Sequence, residues 1–203
     1  AAEDLTVPNV HLQRGATVVA YSGGKALCGP QCAGLLLGSK AILMSAWQAS
    51  SPHHGTGRDN KVGKEEMMGM LAAVEDWVTR DHDEKMRTWH TYLENISKKV
   101  TGIKGIKTSI REPHSLNNRS PMLAISWDPE QFNITGPEVG EILATTKPRI
   151  AVHSGFGDQE GSTSILISAG QMQPGNDKTV ADRIYEILNK KYPKPAPMKA
   201  PAA

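Results

Sequence analysis

The sequence predicts an α/β protein that ends in a small α+β unit. Three observations support this fold class. Short apolar runs flank a glycine-rich turn in the first third of the chain, helical periodicity extends through the middle, and strands alternate with helices toward the end. With 203 residues, of which 38% are hydrophobic, the chain is long enough to bury one large core or two small ones.

The first third of the chain is organised around a turn with the sequence YSGGKALCGPQCAG. Apolar residues at 16–21 and 35–37 predict a strand on each side of it. The pattern over 39–49 is compatible with a helix. The segment SPHHGTGRDNKVG, residues 51–63, predicts a polar loop. Lys25 therefore lies in the connection between two strands.

Residues 64–100 carry the clearest helical periodicity in the chain. A charged stretch interrupts the pattern at 81–83. We expect one long connecting helix that bends near this stretch. The apolar residues that define the pattern are Met67, Met68, Leu71, Val74, Trp77, Val78, Trp89, Leu93 and Ile96.

The remainder of the chain predicts a small α+β domain. A helix is expected over 137–146 with Thr135 as its N-cap, and an amphipathic helix over 176–192. The tail from 193 to 203 is rich in Pro and Ala, which predicts disorder. Strands are predicted at 103–113, 122–129, 149–155 and 162–170.

Composition excludes several classes of partner. The chain has 23 basic and 21 acidic residues, and this balance indicates neither a nucleic acid nor an anionic membrane as partner. Its two cysteines, Cys28 and Cys32, do not form the framework of a disulfide-rich secreted domain. No apolar run is long enough to span a membrane, and the first twenty residues lack a signal-peptide pattern. We therefore expect a cytoplasmic protein.

Three chemistries could use Lys25. A nucleotide phosphate loop is excluded, because Ala26 follows the lysine where Ser or Thr is required. Ser22 and Lys25 have the Ser-x-x-Lys spacing of an acyl-transfer pair, but the companion motifs are absent. The third chemistry is a lysine that binds pyridoxal phosphate, with a nearby hydroxyl for the phosphate and glycines that allow close approach. From the residues alone, a solvated turn lysine also stays open.

Two segments carry a resemblance to a known family. They are GATVVAYSGGKALCGPQCAGLLLGS at 15–39 and GRDNKVGKEEMMGMLAAVEDW at 57–77, and a weaker likeness covers ISAGQMQPGNDKTVADRIYEIL at 167–188. The chain thus resembles the selenocysteine synthase and D-glucosaminate-6-phosphate ammonia-lyase family of fold-type-I pyridoxal phosphate enzymes. In that family the S-G-G-K-x-L-x-G-P-Q motif carries the lysine that binds the cofactor.

The resemblance implies a domain organisation. Residues 1–63 would end an aspartate-aminotransferase-like large domain that binds pyridoxal phosphate, 64–100 would be the connecting helix, and 101–192 the small C-terminal domain. The aspartate that holds the pyridine nitrogen in this family would precede residue 1. We therefore expect the chain to be the C-terminal portion of an enzyme about twice as long.

The resemblance also implies roles for five residues. Lys25 would form the Schiff base and move the substrate α-proton, Ser22 would bind the cofactor phosphate, and Gly24 would allow the cofactor to approach. Arg58 and Lys61 match two basic positions that bind a phosphorylated or carboxylate substrate, although solvated loop charges remain an alternative.

The resemblance implies a pyridoxal phosphate-dependent lyase or transferase that acts on a small amino substrate and assembles as a homo-oligomer. Lys61 favours β-elimination with release of ammonia. Selenium transfer onto seryl-tRNA, an aminotransferase-like reaction and a non-catalytic remnant stay open as alternatives.

Other polar residues of the motifs are assigned structural roles. Gln31 is expected to order the turn after the lysine. His53 and His54 are expected to be loop residues, because no Cys or carboxylate stands at metal-ligand spacing from them. Cys28 and Cys32 are expected to be small buried residues.

Overall fold

The computed structural model describes residues 9–113, 120–154 and 162–192. The described residues divide into two units, with 9–82 in the first and the remainder in the second. Within the described ranges, no helix combines the length and the apolar character that crossing a bilayer requires. The tail predicted to be disordered, 193–203, lies outside the described residues.

A β-hairpin organises the first unit. Strands β1 (Val18–Ser22) and β2 (Gly34–Gly38) are antiparallel, and Ser22 pairs with Gly34 where the connecting loop begins. Both predicted strands are confirmed. A short helix that was not predicted, α1 (Val10–Gln13), precedes them and is capped by the Asn9 side chain, which accepts from the His11 backbone N–H.

Two helices complete the first unit. Helix α2 (Lys40–Gln48) begins at the predicted place, because Ser39 accepts a hydrogen bond from the Ile42 backbone N–H and caps it. Helix α3 (Lys64–Thr79) follows a loop and carries Glu65 and Glu66 in its first turn, where carboxylates favour the positive end of the helix dipole.

The prediction of one helix over 64–100 is wrong. The backbone of Arg80 is extended, with φ −65° and ψ 138°, and a second helix, α4 (His82–Val100), begins after Asp81. The His82 ring donates from Nε2 to the Trp77 carbonyl oxygen at 2.8 Å, and this hydrogen bond satisfies an acceptor at the end of α3. Helix α3 belongs to the first unit and α4 to the second.

A three-stranded antiparallel sheet organises the second unit, in the order β3 (Lys107–Arg111), β4 (Met122–Ser126), β5 (Ser164–Ser168). Between β4 and β5 lie α5 (Pro129–Phe132), which was not predicted, and α6 (Gly136–Thr145). Helix α7 (Asn176–Leu188) follows β5. The strands predicted at 103–113, 122–129 and 162–170 and the helix predicted at 176–192 are present with shorter bounds, and the helix predicted at 137–146 begins and ends one residue earlier.

The core of the second unit lies between the sheet and its helices. It includes fully buried side chains from α4, β4, α6, β5 and α7, and the periodicity of these elements explains which face is buried. Representative residues are Leu93, Ile96, Leu123, Ile125, Leu143, Ile165 and Ile184.

The prediction of a strand at 149–155 is wrong, because residues 149–154, the part that the structure describes, form no strand. Only His153 pairs with the sheet, through two hydrogen bonds to Leu166 at 2.8 and 3.0 Å. The segment follows α6 instead: Ile150 N–H bonds the Leu143 carbonyl at 2.9 Å, and a Cβ at Gly140 would overlap Ser154. Packing against the helix therefore prevents a continuous ladder along β5.

Candidate functional site

Lys25 lies in the loop that connects β1 to β2, which we call the Lys25 loop (residues 23–33). The loop is closed by a hydrogen bond from Gly23 N–H to the Ala33 carbonyl at 2.9 Å and by one from Gly29 N–H to the Gly23 carbonyl at 2.8 Å. A turn begins at Lys25, whose carbonyl accepts from Cys28 N–H at 2.9 Å. Ser22 and Lys25 are both exposed at this end of the hairpin.

Two glycines before the lysine allow close packing within the loop. A Cβ at Gly23 would lie 2.6 Å from the Ala33 carbonyl oxygen and 2.8 Å from Met70 Sδ. A Cβ at Gly24 would lie 2.6 Å from the side chain of Gln31. Gln31 Nε2 donates to the Gly24 carbonyl at 3.2 Å, which confirms that Gln31 orders the turn after the lysine.

Helix α3 supports the Lys25 loop from one side. Leu27 and Met70 are 5% and 6% exposed, and are therefore the buried contacts of this part of the first unit. A Cβ at Gly69 would lie 2.8 Å from Pro30 Cγ, and a Cβ at Gly29 would lie 3.1 Å from that of Ala73. The small residues of the helix and of the loop thus allow their backbones to approach closely, and this packing holds Lys25 in place.

This support from α3 was missed by the sequence analysis. Gly69 was the available signal, because glycine inside a strongly periodic helix is unfavourable by about 1 kcal/mol relative to alanine and usually has a packing reason. The prediction that both cysteines are buried is also wrong. Cys28 and Cys32 are exposed and form no disulfide, and Cys28 Sγ donates to the Ala26 carbonyl at 3.5 Å.

Arg58 and Lys61 lie on a second loop, between α2 and α3. Gly57 N–H donates to the Ala49 carbonyl at 2.8 Å and Arg58 N–H donates to the Gly55 carbonyl at 3.1 Å, so the loop folds back on the end of α2. Arg58 Nε is buried and has no hydrogen-bond acceptor among the described residues. Such a donor is unfavourable unless another group supplies an acceptor.

The two loops belong to the same unit and present three cations. The structure joins Ser22, Gly24 and Lys25 in one loop, and it places Arg58 and Lys61 in the other without a described hydrogen bond between the two sets. His53 has the loop role expected of it: Nδ1 donates to the Trp47 carbonyl at 3.1 Å, and the rings are 4.5 Å apart. Within the described ranges, His, Cys, Asp and Glu form no cluster of metal-binding size.

Comparison with known proteins identifies a relative in sequence and in structure. The chain is 29% identical over 98 residues to the D-glucosaminate-6-phosphate ammonia lyase of Salmonella typhimurium (strain 14028s / SGSC 2262), a match that covers 48% of this chain and 24% of the relative. The solved structure of a D-glucosaminate-6-phosphate ammonia-lyase aligns with a TM-score of 0.70 and 20% identity, over 89% of this chain and 46% of that one. The resemblance to this family is confirmed.

The structural match establishes the fold. The chain has the architecture of the corresponding part of the ammonia-lyase, a fold-type-I enzyme, which confirms the predicted fold class. No protein-family model matches the chain. The chain spans about half the length of the solved ammonia-lyase that it matches.

Proposed function

We propose that this chain supplies the cofactor-binding lysine, Lys25, of a pyridoxal phosphate-dependent lyase that acts on a phosphorylated amino acid or amino sugar acid. The observation that carries the proposal is the Lys25 loop. It packs against α3 and presents an exposed lysine, in a chain with the ammonia-lyase fold. The relatives' name supplies the substrate class.

The residues of the Lys25 loop fit the cofactor. Lys25 and Ser22 are exposed at one end of the hairpin, whereas the loop beneath them is fixed by hydrogen bonds and by Met70. Lys25 would hold the cofactor covalently, and the Ser22 hydroxyl would donate to its phosphate. Because the Gln31 side chain occupies the Cβ side of Gly24, this residue would contact the cofactor only through its backbone. When bound, pyridoxal phosphate withdraws electrons from the substrate α-carbon.

The chemistry of the chain's own residues follows from this arrangement. Once the substrate amine has displaced it from the cofactor, the amino group of Lys25 would take the α-proton of the substrate and pass it to the β-hydroxyl, which would leave as water. Addition of one water then releases ammonia and leaves a 2-oxo acid, so the reaction is balanced without an oxidant. The guanidinium of Arg58 and the ammonium of Lys61 would bind the substrate's phosphate or carboxylate.

A homo-oligomer belongs to the same proposal. Among the described residues, the large hydrophobic side chains that are exposed all lie in the first unit, and Met68, Leu71 and Val78 on α3 are 63%, 50% and 61% exposed. A concentration of apolar surface in one unit is typical of an association surface. The other exposed hydrophobic side chains of the first unit are Leu36, Ile42, Met44, Trp47 and Met67.

The proposal is tested with protein expressed at its natural length, D-glucosaminate 6-phosphate as substrate and an assay for 2-oxo acid. Lys25→Ala should lower kcat by about 100-fold or more, because it removes the proton-transferring group. Arg58→Met should raise KM by about tenfold through loss of a charged contact to the substrate. Lys40→Ala, on the exposed first turn of α2, is the matched control. Ammonia release that Lys25→Ala leaves unchanged would refute the proposal, and a protein without pyridoxal phosphate-dependent activity on any such substrate would favour the non-catalytic remnant.

A further inference from the structure

A cavity of about 500 Å³ lies in the second unit, on the side where α7 ends. Three segments form it: the turn after α4, the end of α5, and the residues that follow α7. Its volume is within the range of small-molecule sites. The lining residues are Gly102, Ile103, Lys104, Gln131, Phe132, Asn133, Leu188, Asn189, Lys190, Lys191 and Tyr192.

The walls of the cavity are fixed by hydrogen bonds. Asn133 Nδ2 donates to the Tyr192 carbonyl at 3.2 Å, and the Tyr192 hydroxyl donates to the Ile187 carbonyl at 3.1 Å. These bonds connect the end of α5 to the segment after α7. The turn after α4 is closed by Ile103 N–H, which donates to the Val100 carbonyl at 3.0 Å. The cavity is therefore formed before any ligand arrives, which lowers the entropic cost of binding.

One wall requires a glycine. Gly105 has φ +99°, a conformation that side chains disfavour, and a Cβ there would overlap Gln131 Oε1 and lie 3.2 Å from the Phe132 ring. The amide of Gln131 is consequently held at the cavity wall by a close backbone approach. Almost any substitution of Gly105 would therefore displace the Gln131 amide.

The charged side chains that line the cavity are all lysines. Lys104, Lys190 and Lys191 contribute cations, and none of the lining residues that the structure describes carries a carboxylate. Glu186 bonds Lys190 at 3.3 Å and reduces its charge, so Lys104 and Lys191 provide most of the field. Burial and the nearby carboxylates raise the pKa of Tyr192, so its phenol stays neutral and adds no negative charge. Glu138 and Glu186 act on Tyr192 from outside the lining, but the three lysines of the lining outnumber them and favour an anionic ligand.

We propose that this cavity binds a small phosphate monoester whose organic part contacts the apolar wall. Lysines bind phosphate as point charges, and a phosphate with nearly two negative charges at neutral pH suits several of them. The amides of Gln131, Asn133 and Asn189 are placed to donate to hydroxyl or phosphate oxygens. Ile103, Phe132 and Leu188 form the apolar wall. The site is separate from Lys25, which lies in the other unit.

The test is a ¹H–¹⁵N NMR titration of the whole chain with glucose 6-phosphate, with glucose as the matched neutral probe. Glucose 6-phosphate should shift the resonances of Lys104, Gln131, Asn133 and Lys191, and glucose should not. The variant Lys104→Glu/Lys191→Glu should weaken binding by about tenfold or more, because it replaces two attractive charges with repulsive ones. Both lysines are exposed, so the variant should retain the native spectrum.

Two controls separate the cavity from general electrostatics and from the proposed active site. Lys178→Glu reverses one charge, half of the change in the double variant, on an exposed side chain at the opposite end of α7, and should leave binding unchanged. Lys25→Ala should also leave it unchanged. The proposal is overturned if glucose 6-phosphate causes no shifts in the cavity, if glucose binds equally well, or if Lys178→Glu weakens binding as much as the double variant does. Binding of RNA or heparin in the absence of glucose 6-phosphate binding would equally overturn it.

Discussion

Gly23→Ala tests whether close packing fixes the Lys25 loop. The added methyl would lie 2.6 and 3.0 Å from the carbonyl oxygens of Ala33 and Pro30, which are backbone atoms, and 2.8 Å from Met70 Sδ. Relief requires a shift of the backbone that already makes the 2.9 Å hydrogen bond from Gly23 N–H to Ala33. Such overpacking is unfavourable by about 1–3 kcal/mol, and loss of the hydrogen bond adds about 1 kcal/mol. The stiffer unfolded chain returns about 0.4–1 kcal/mol, which leaves a net loss of about 1–3 kcal/mol.

Gly24→Ala is the matched control. Its methyl would meet only the far end of the Gln31 side chain, which can rotate away at the loss of one exposed hydrogen bond of 3.2 Å. That loss of about 1 kcal/mol is nearly offset by the same unfolded-state effect, so the net change should stay within about 1 kcal/mol.

Hydrogen exchange of the first unit measures both variants. The amide of Gly29, which bonds the Gly23 carbonyl at 2.8 Å, reports opening of the loop directly. We expect Gly23→Ala to accelerate its exchange by about tenfold or more, since 1.4 kcal/mol corresponds to a factor of ten, and Gly24→Ala to change it much less. Equal effects of the two substitutions would refute the argument that Gly23 is required by packing.

Four further predictions concern stability. Thr135→Val should cost about 1 kcal/mol in a urea titration, because Thr135 caps α6. Hydrogen bonds from the Thr135 backbone and side chain lower the pKa of Glu138 below 4.5, so Glu138→Gln should destabilise the protein above that pH, and the difference should vanish as the pH falls through the lowered value. Trp127→Phe should cost about 1–3 kcal/mol by leaving the Ile134 carbonyl unsatisfied in the core, where Trp127 Nε1 donates to it at 2.8 Å. Arg58→Met should leave the melting temperature equal or higher, because it removes a buried unpartnered donor.

The sequence predicted elements well where local patterns and caps agree with tertiary packing. Thr135 and Glu138 have the spacing of a capping box, and the structure shows both of its hydrogen bonds at the start of α6. β4 and β5 were likewise predicted from short continuous apolar runs, and the three central residues of each strand are buried.

Elements that depend on tertiary context were predicted less well. The break between α3 and α4 contains neither Pro nor Gly, but Asp81 and Glu84 have capping-box spacing and could have indicated a second helix start. The segment predicted as a strand at 149–155 has a sequence pattern compatible with a strand. Its packing against α6 takes the place of continuous pairing with β5.

The sequence predicted the residues of the candidate site, but it did not predict the packing of α3 against the Lys25 loop. The motif around Lys25 identified the loop and the role of Gln31, because family motifs record local chemistry. The contact of Met70 and Gly69 with that loop joins residues about forty positions apart, and no local pattern specifies such a contact. The unpartnered Arg58 donor is likewise visible only once burial is known.

The most direct test of the account is borohydride trapping with pyridoxal phosphate, followed by peptide mass mapping of the natural-length protein. With cofactor at one equivalent, we expect a pyridoxyl adduct on Lys25, labelled at least about tenfold more than the exposed Lys40, because Lys25 lies in the loop that we propose to hold the cofactor. Labelling spread evenly over the surface lysines, or its absence from Lys25, would contradict the assignment of Lys25 as the cofactor-binding residue.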